Sequence, residues 1–245
     1  MHHRGVCAIK EEYPTFVQVL AVFILANFVP QAIIYVVAGK PYFAFDQVNG
    51  LITEILLMML NLLLPLWFLT HYNRLNLKEI RNAVAWHMYG WKTVSWGLVG
   101  FIIGFPANFF IFARLIPYSS GASGEEEVPL NLFLFLLLIA DAIAGTLGEE
   151  VMFRGYIQTG IGKRYGPKEG LLAGAFLYAL RHYPLYVYSG LAEPLLLVRS
   201  LLVLHFGALV FGCIRHRSNS TIATWIMHIL GWFLIVFGQA WIAQL

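Results

Sequence analysis

The chain has 245 residues, 59% of them hydrophobic and 12% charged. That is half the roughly 25% charge of an average soluble domain, and with a mean hydropathy of +0.71 it excludes a soluble globular protein. A net charge of +3 with no Lys/Arg run and no glycine-rich phosphate loop excludes a nucleic-acid partner, and Cys7 and Cys213, in no ligand spacing, indicate neither a disulfide framework nor a cysteine metal site.

A helix crosses the hydrocarbon core with about 20 predominantly apolar residues, and the apolar runs follow one another from Tyr13 to Leu245. The first, Tyr13 to Gly39, starts after Lys10, Glu11 and Glu12. It is longer than a signal-peptide core and lacks a small-residue cleavage pattern, so it reads as a retained first span. Leu51 to Thr70 is the second span, with Glu54 near its start and Pro65 predicted to kink the helix rather than end it. Asn73 to Trp91 sets Leu75, Leu77, Ile80, Val84 and Ala85 among Arg74, Lys78 and Arg81; it fits an interfacial helix and, equally, a solvated linker. Thr93 to Ala113 is the third span. Its Gly100 and Gly104 form a small-xxx-small pair, a spacing that allows close helix packing but is common by chance.

Val128 to Gly148, containing Asp141, reads as the fourth span and ends in Glu149 and Glu150. Gly170 to Leu180 is a short fifth, followed by Arg181 and His182. Pro194 to Ile214 is the sixth, with Arg199 and His205, and Ser218 to Leu245 the seventh. The pattern predicts an all-α, polytopic transmembrane helical bundle of about seven spans. In that arrangement alternate sides of the membrane hold 12 and 4 of the 16 Lys and Arg residues. The positive-inside rule then places the amino terminus, Asn73 to Lys92, Arg154 to Lys168 and Arg215 to Arg217 in the cytoplasm, and the acidic Gly124 to Pro129 loop outside.

Charged side chains inside a bilayer are costly and mark sites or pathways, and here they gather in the second half of the chain. Glu150 and Arg154, four apart with the acid first, suit an ion pair on one helix face. That pair alone would be an ordinary boundary feature, but Glu149 points about 100° away from it and needs another role. His182 closes the fifth segment and His228 lies in the seventh. A lone histidine in a span is often a packing residue, the reading given to His205. Two histidines beside a paired carboxylate can bind a water, orient it for a Glu base and donate to a developing oxyanion. No His-Glu-x-x-His occurs, yet Glu149, His182 and His228 also make a possible zinc set of two histidines and one carboxylate.

These elements resemble the CPBP family, the CAAX-protease and bacteriocin-processing or abortive-infection-like membrane proteins. Its glutamate intramembrane proteases include the type II CAAX prenyl proteases. Glu149-Glu150-x-x-x-Arg154-Gly155 is similar to the family's EExxxR motif, Tyr178-x-x-x-His182 to its Phe-x-x-x-His motif, and Arg217 to His228 to its last element. The resemblance covers roughly Val128 to Trp232 and departs from the pattern at Trp232, where the family usually has Asn or another small polar group. It implies a hydrolase acting on peptide bonds, in which Glu149 and His182 activate the attacking water and His228 stabilises the oxyanion. Glu150, Arg154, Tyr178 and Trp232 would shape the site. On this reading residues 1–127 are amino-terminal spans with an interfacial segment near 73–91, and residues 128–245 are the CPBP-like catalytic core of one integrated domain. No cofactor is expected, with zinc as the alternative. The partners are the lipid bilayer and a membrane-associated peptide or protein substrate, and the site of this integral membrane protein, in the cell membrane if bacterial, faces the cytoplasm. The rival readings are a zinc-dependent peptidase and a non-catalytic immunity or scaffold protein.

Overall fold

A computed structural model describes residues 13–41, 47–115, 132–184 and 194–242. Cys7 and the acidic Gly124 to Pro129 loop lie outside them. The described residues form helices and connecting turns: α1 (Phe16–Asn27), α2 (Val29–Ala38), α3 (Gln47–His71), α4 (Leu77–Ala83), α5 (Trp91–Leu115), α6 (Leu132–Arg164), α7 (Pro167–Arg181), α8 (Pro194–Ser218) and α9 (Thr221–Ile242). Four helical stretches among the described residues are long and apolar enough to cross a membrane: Phe16–Ala38, Val48–His71, Leu132–Arg164 and Leu197–Ser218. The described residues are all-helical, and the protein is an integral membrane protein. The expected short fifth span is α7, whose 15 residues reach about 22 Å at 1.5 Å per residue, less than the hydrocarbon thickness of roughly 30 Å.

The first expected span is helical in two pieces. Thr15 caps α1, its hydroxyl accepting from the Gln18 N–H at 3.2 Å while the Gln18 side chain accepts from the Thr15 N–H at 2.6 Å. The step to α2 falls at Phe28, just before Pro30, whose ring nitrogen has no proton to continue the ladder. By contrast α3 runs on through Pro65 as expected. Lipid tails are as apolar as leucine, so side-chain packing and interhelical hydrogen bonds, rather than water exclusion, hold such a bundle together. The packed centre joins Val19, Val22 and Phe23 of α1 and Leu69 of α3 to Met152, Phe153, Tyr156 and Ile157 of α6. Asn27 donates to Asn61 across α1 and α3 at 2.9 Å.

The Gly100 and Gly104 pair is a contact surface. A Cβ on either would sit 2.7 Å from the Met227 side chain of α9, so the missing side chains let α5 and α9 approach. The 73–91 segment packs one side against the bundle and leaves Leu77, Met88 and Trp91 exposed. Asn76 caps α4 together with Glu79, Ile80, Ala83, Val84 and Ala85 are buried, and the turn before α9 is tied to the segment by Thr221, whose N–H donates to Ala85 O at 2.9 Å and whose hydroxyl donates to Val84 O at 2.6 Å.

The largest departure from the sequence reading is the fourth span. It does not end at Gly148: the helix continues to Arg164, 33 residues in all, and the connection to α7 shrinks to Tyr165 and Gly166, the latter at φ 137°. Glu149, Glu150 and Arg154 suggested a boundary because of their charge, but their charges are compensated inside the bundle.

Candidate active site

The motif lies where α6 changes its winding. Asp141–Gly145 and Glu150–Thr159 are π-helical, separated by one α-helical turn, Thr146–Glu149. The i→i+5 bonding of such stretches is rare and frequent at functional sites, and the Thr159 hydroxyl follows it, donating to the Arg154 carbonyl five residues back at 2.8 Å. Gly148 lets this region sit against α3, since a Cβ there would lie 2.2 Å from the Met58 carbonyl oxygen.

Both motif carboxylates point into the protein, Glu149 at 9% and Glu150 at 0% exposure, and each meets a different helix. Glu150 Oε1 is 3.6 Å from Arg154 Nη1, the ion pair expected from the four-residue spacing, and 2.9 Å from His228 Nδ1 on α9. The Arg154 guanidinium lies between two rings, 4.6 Å from the centre of Tyr178 and 4.9 Å from that of Phe211, an arrangement that further compensates a desolvated cation. Glu149 accepts from Arg181, the last residue of α7, through Oε1, while its Oε2 has no hydrogen-bond partner among the described residues and lies 3.6 Å from His228 Nε2.

The histidine tautomers follow from their neighbours. The carbonyl of Tyr178 can only accept, so the 2.9 Å contact to His182 puts that ring's proton on Nδ1 and leaves Nε2 as an acceptor. An ionised Glu150 likewise accepts from His228 Nδ1–H, so His228 donates from Nε2 only as an imidazolium.

Glu149, Tyr178, His182, His228 and Trp232 border one cavity of about 170 Å³. The structure therefore gathers five of the seven residues singled out from sequence around one space, with Glu150 and Arg154 behind them. It adds Arg181, Glu54 and Asp141, to which the sequence reading gave no role; Glu54 and Asp141 line the same cavity. The indole N–H of Trp232 is within hydrogen-bonding reach of Asp141. The available signal for Arg181 was charge balance: an intramembrane Glu149 left over from the Glu150–Arg154 pair needs a cation, and Arg181 is the arginine beside a motif histidine. His205 stays outside the cluster, with its ring edge against Phe206.

The zinc alternative requires Glu149, His182 and His228 to converge as ligands. Among the described residues no three His, Cys, Asp or Glu side chains converge as a metal-ligand group, and the Arg181 guanidinium holds one oxygen of the only carboxylate in the set. What the cluster offers is a buried carboxylate oxygen 3.6 Å from one imidazole, with a second imidazole lining the same cavity, a setting suited to moving a proton from a water molecule.

No curated protein and no solved structure matches this chain significantly. Residues 131–234, which carry all three motifs, match the model of a protease family described as type II CAAX prenyl endopeptidase Rce1-like, in agreement with the resemblance that the motifs had indicated.

Proposed function

We propose that the chain is an intramembrane endopeptidase that hydrolyses a peptide bond with a water activated by Glu149. The observation that carries this reading is the convergence of Glu149, His182 and His228 on one cavity within the segment that matches a protease family. Water held between Glu149 Oε2 and His182 Nε2 gives its proton to Glu149 as its oxygen attacks the scissile carbonyl. The carbonyl electrons move to oxygen, and the resulting oxyanion accepts a hydrogen bond from His228 Nε2–H. Glu150, bound to His228 Nδ1, stabilises the imidazolium that this donation requires. Collapse of the tetrahedral centre breaks the C–N bond, and Glu149 returns its proton to the leaving amine. The proposed substrate is a membrane-associated peptide or protein.

The proposed site opens toward the cytoplasm. Arg154, Arg181 and Arg215 are buried and do not report on topology, and setting them aside leaves ten Lys and Arg on the side expected to be cytoplasmic against three on the other. The test of the activity is cleavage of a membrane proteome by the wild-type protein beside Glu149→Ala, read as new peptide termini by mass spectrometry. Termini that appear only with the wild type are expected; identical profiles would overturn the peptidase reading in favour of a non-catalytic member of the family.

A further inference from the structure

The charge beside Glu149 comes from a residue outside the three motifs. Arg181 is 7% exposed and sits at the end of α7, one residue before His182. Its Nη1 donates to Glu149 Oε1, and its Nη2 lies 3.0 Å from Met58 Sδ on α3. Met58 is in place because Gly148 lets the backbones of α3 and α6 nearly touch. The guanidinium is a rigid planar fork, so contacts at two of its nitrogens fix its plane, and with it the Glu149 carboxylate.

The two oxygens of Glu149 are thereby made unequal. Oε1 is committed to Arg181. Oε2 is buried without a hydrogen-bond partner among the described residues and is the oxygen that faces His228. A carboxylate free to rotate about its last bond would spread its lone pairs over many directions, whereas one clamped at a single oxygen presents the other in one direction.

We propose that Arg181 is a positioning residue, a clamp that holds one oxygen of Glu149 and aims the other into the cavity lined by His182 and His228. The proposal rests on the reading of Glu149 as the base. Because Arg181 and His182 are adjacent on one helix end, the same turn of α7 sets both the direction of the carboxylate and the position of the imidazole. The separation between base and water-binding histidine is therefore fixed by one rigid element.

The test uses the full chain in lipid bicelles, with a fluorescence-quenched farnesylated peptide ending in a CaaX sequence as the probe. Arg181→Gln is expected to lower kcat by about 10²-fold with KM little changed, the scale of loss when a reacting group is misplaced by roughly 1 Å. Arg181→Lys keeps a cation that can donate to Oε1 and should recover kcat to within about tenfold of wild type, since it lacks only the planar fork. In a Glu149→Gln background, Arg181→Gln should cause no further loss. Equal losses for the Lys and Gln variants, a raised KM at unchanged kcat, or additive losses in the double variant would each overturn the clamp.

An infrared readout needs no turnover. The carboxylate stretching band of Glu149, isolated as the difference between wild type and Glu149→Gln, should move in Arg181→Gln and stay close to its wild-type position in Arg181→Lys. An unmoved band in Arg181→Gln, or a band displaced from its wild-type position in Arg181→Lys, overturns the proposal; the second outcome does so even if Arg181→Gln is poorly folded. A wild-type protein that leaves the probe uncut but shows the band shift counts against the peptidase reading for that substrate, not against the clamp.

Discussion

Replacing Glu150 by Gln keeps the shape of the side chain and removes its charge. Glu150 is fully buried and bridges Arg154 at 3.6 Å and His228 at 2.9 Å. Removing one member of a buried ion pair costs about 3 to 5 kcal/mol, because the other charge is left uncompensated in a poor solvent. The ring contacts of Arg154 with Tyr178 and Phe211 exist before and after the change, so they soften the absolute state of Arg154 and drop out of the difference. Arg154→Met strands the pair from the other side, and its cost should fall at the lower end of the range, since His228 remains beside Glu150. If the two positions were independent, Glu150→Gln with Arg154→Met would lose about 6 to 8 kcal/mol. A coupled pair behaves differently: with both charges gone nothing is stranded, and the double variant should lose no more than about 3 kcal/mol. The assay is reversible unfolding by titration with SDS in mixed micelles, followed by tryptophan fluorescence and repeated for the four proteins of the cycle. Additive losses, or a Glu150→Gln protein that unfolds at the wild-type midpoint, would refute the argument that this pair neutralises a charge inside the bundle.

Three further outcomes follow from the geometry. Gly148→Ala places a Cβ 2.2 Å from a backbone oxygen of α3 that cannot swing away, so the helices must part; the expected loss is about 1 to 3 kcal/mol, read as a lower unfolding midpoint. Trp232→Phe removes an indole N–H that is within reach of Asp141, so kcat on a cleaved peptide should change by less than about tenfold; a loss on the order of 10² to 10³ would instead identify the indole as an oxyanion donor. Prolonged treatment with a strong chelator should leave activity unchanged and elemental analysis should find well under one zinc per chain, whereas stoichiometric zinc lost together with activity and restored on addition would establish the metal reading.

Local features of this protein could be read directly from its residues. The apolar runs gave the membrane class and the helices, since a backbone in lipid has to satisfy its own hydrogen bonds. The four-residue spacing of Glu150 and Arg154 gave their ion pair, and the order of the motifs gave the protease family that residues 131–234 match. Each of these depends on residues within a turn or two of one another, or on their order along the chain. Tertiary structure decided the contacts that join distant segments. Glu149 meets Arg181 across 32 residues and Glu150 meets His228 across 78, while Gly100 and Gly104 turn from a chance spacing into the seat of α9. Helix α6 passes its charged motif instead of stopping there, because the motif's partners come from α7 and α9. Hydropathy could not foresee these choices: when the solvent is as apolar as the side chains, composition does not mark which face of a helix turns inward. That is settled by which backbones can approach and which charges find partners once they do.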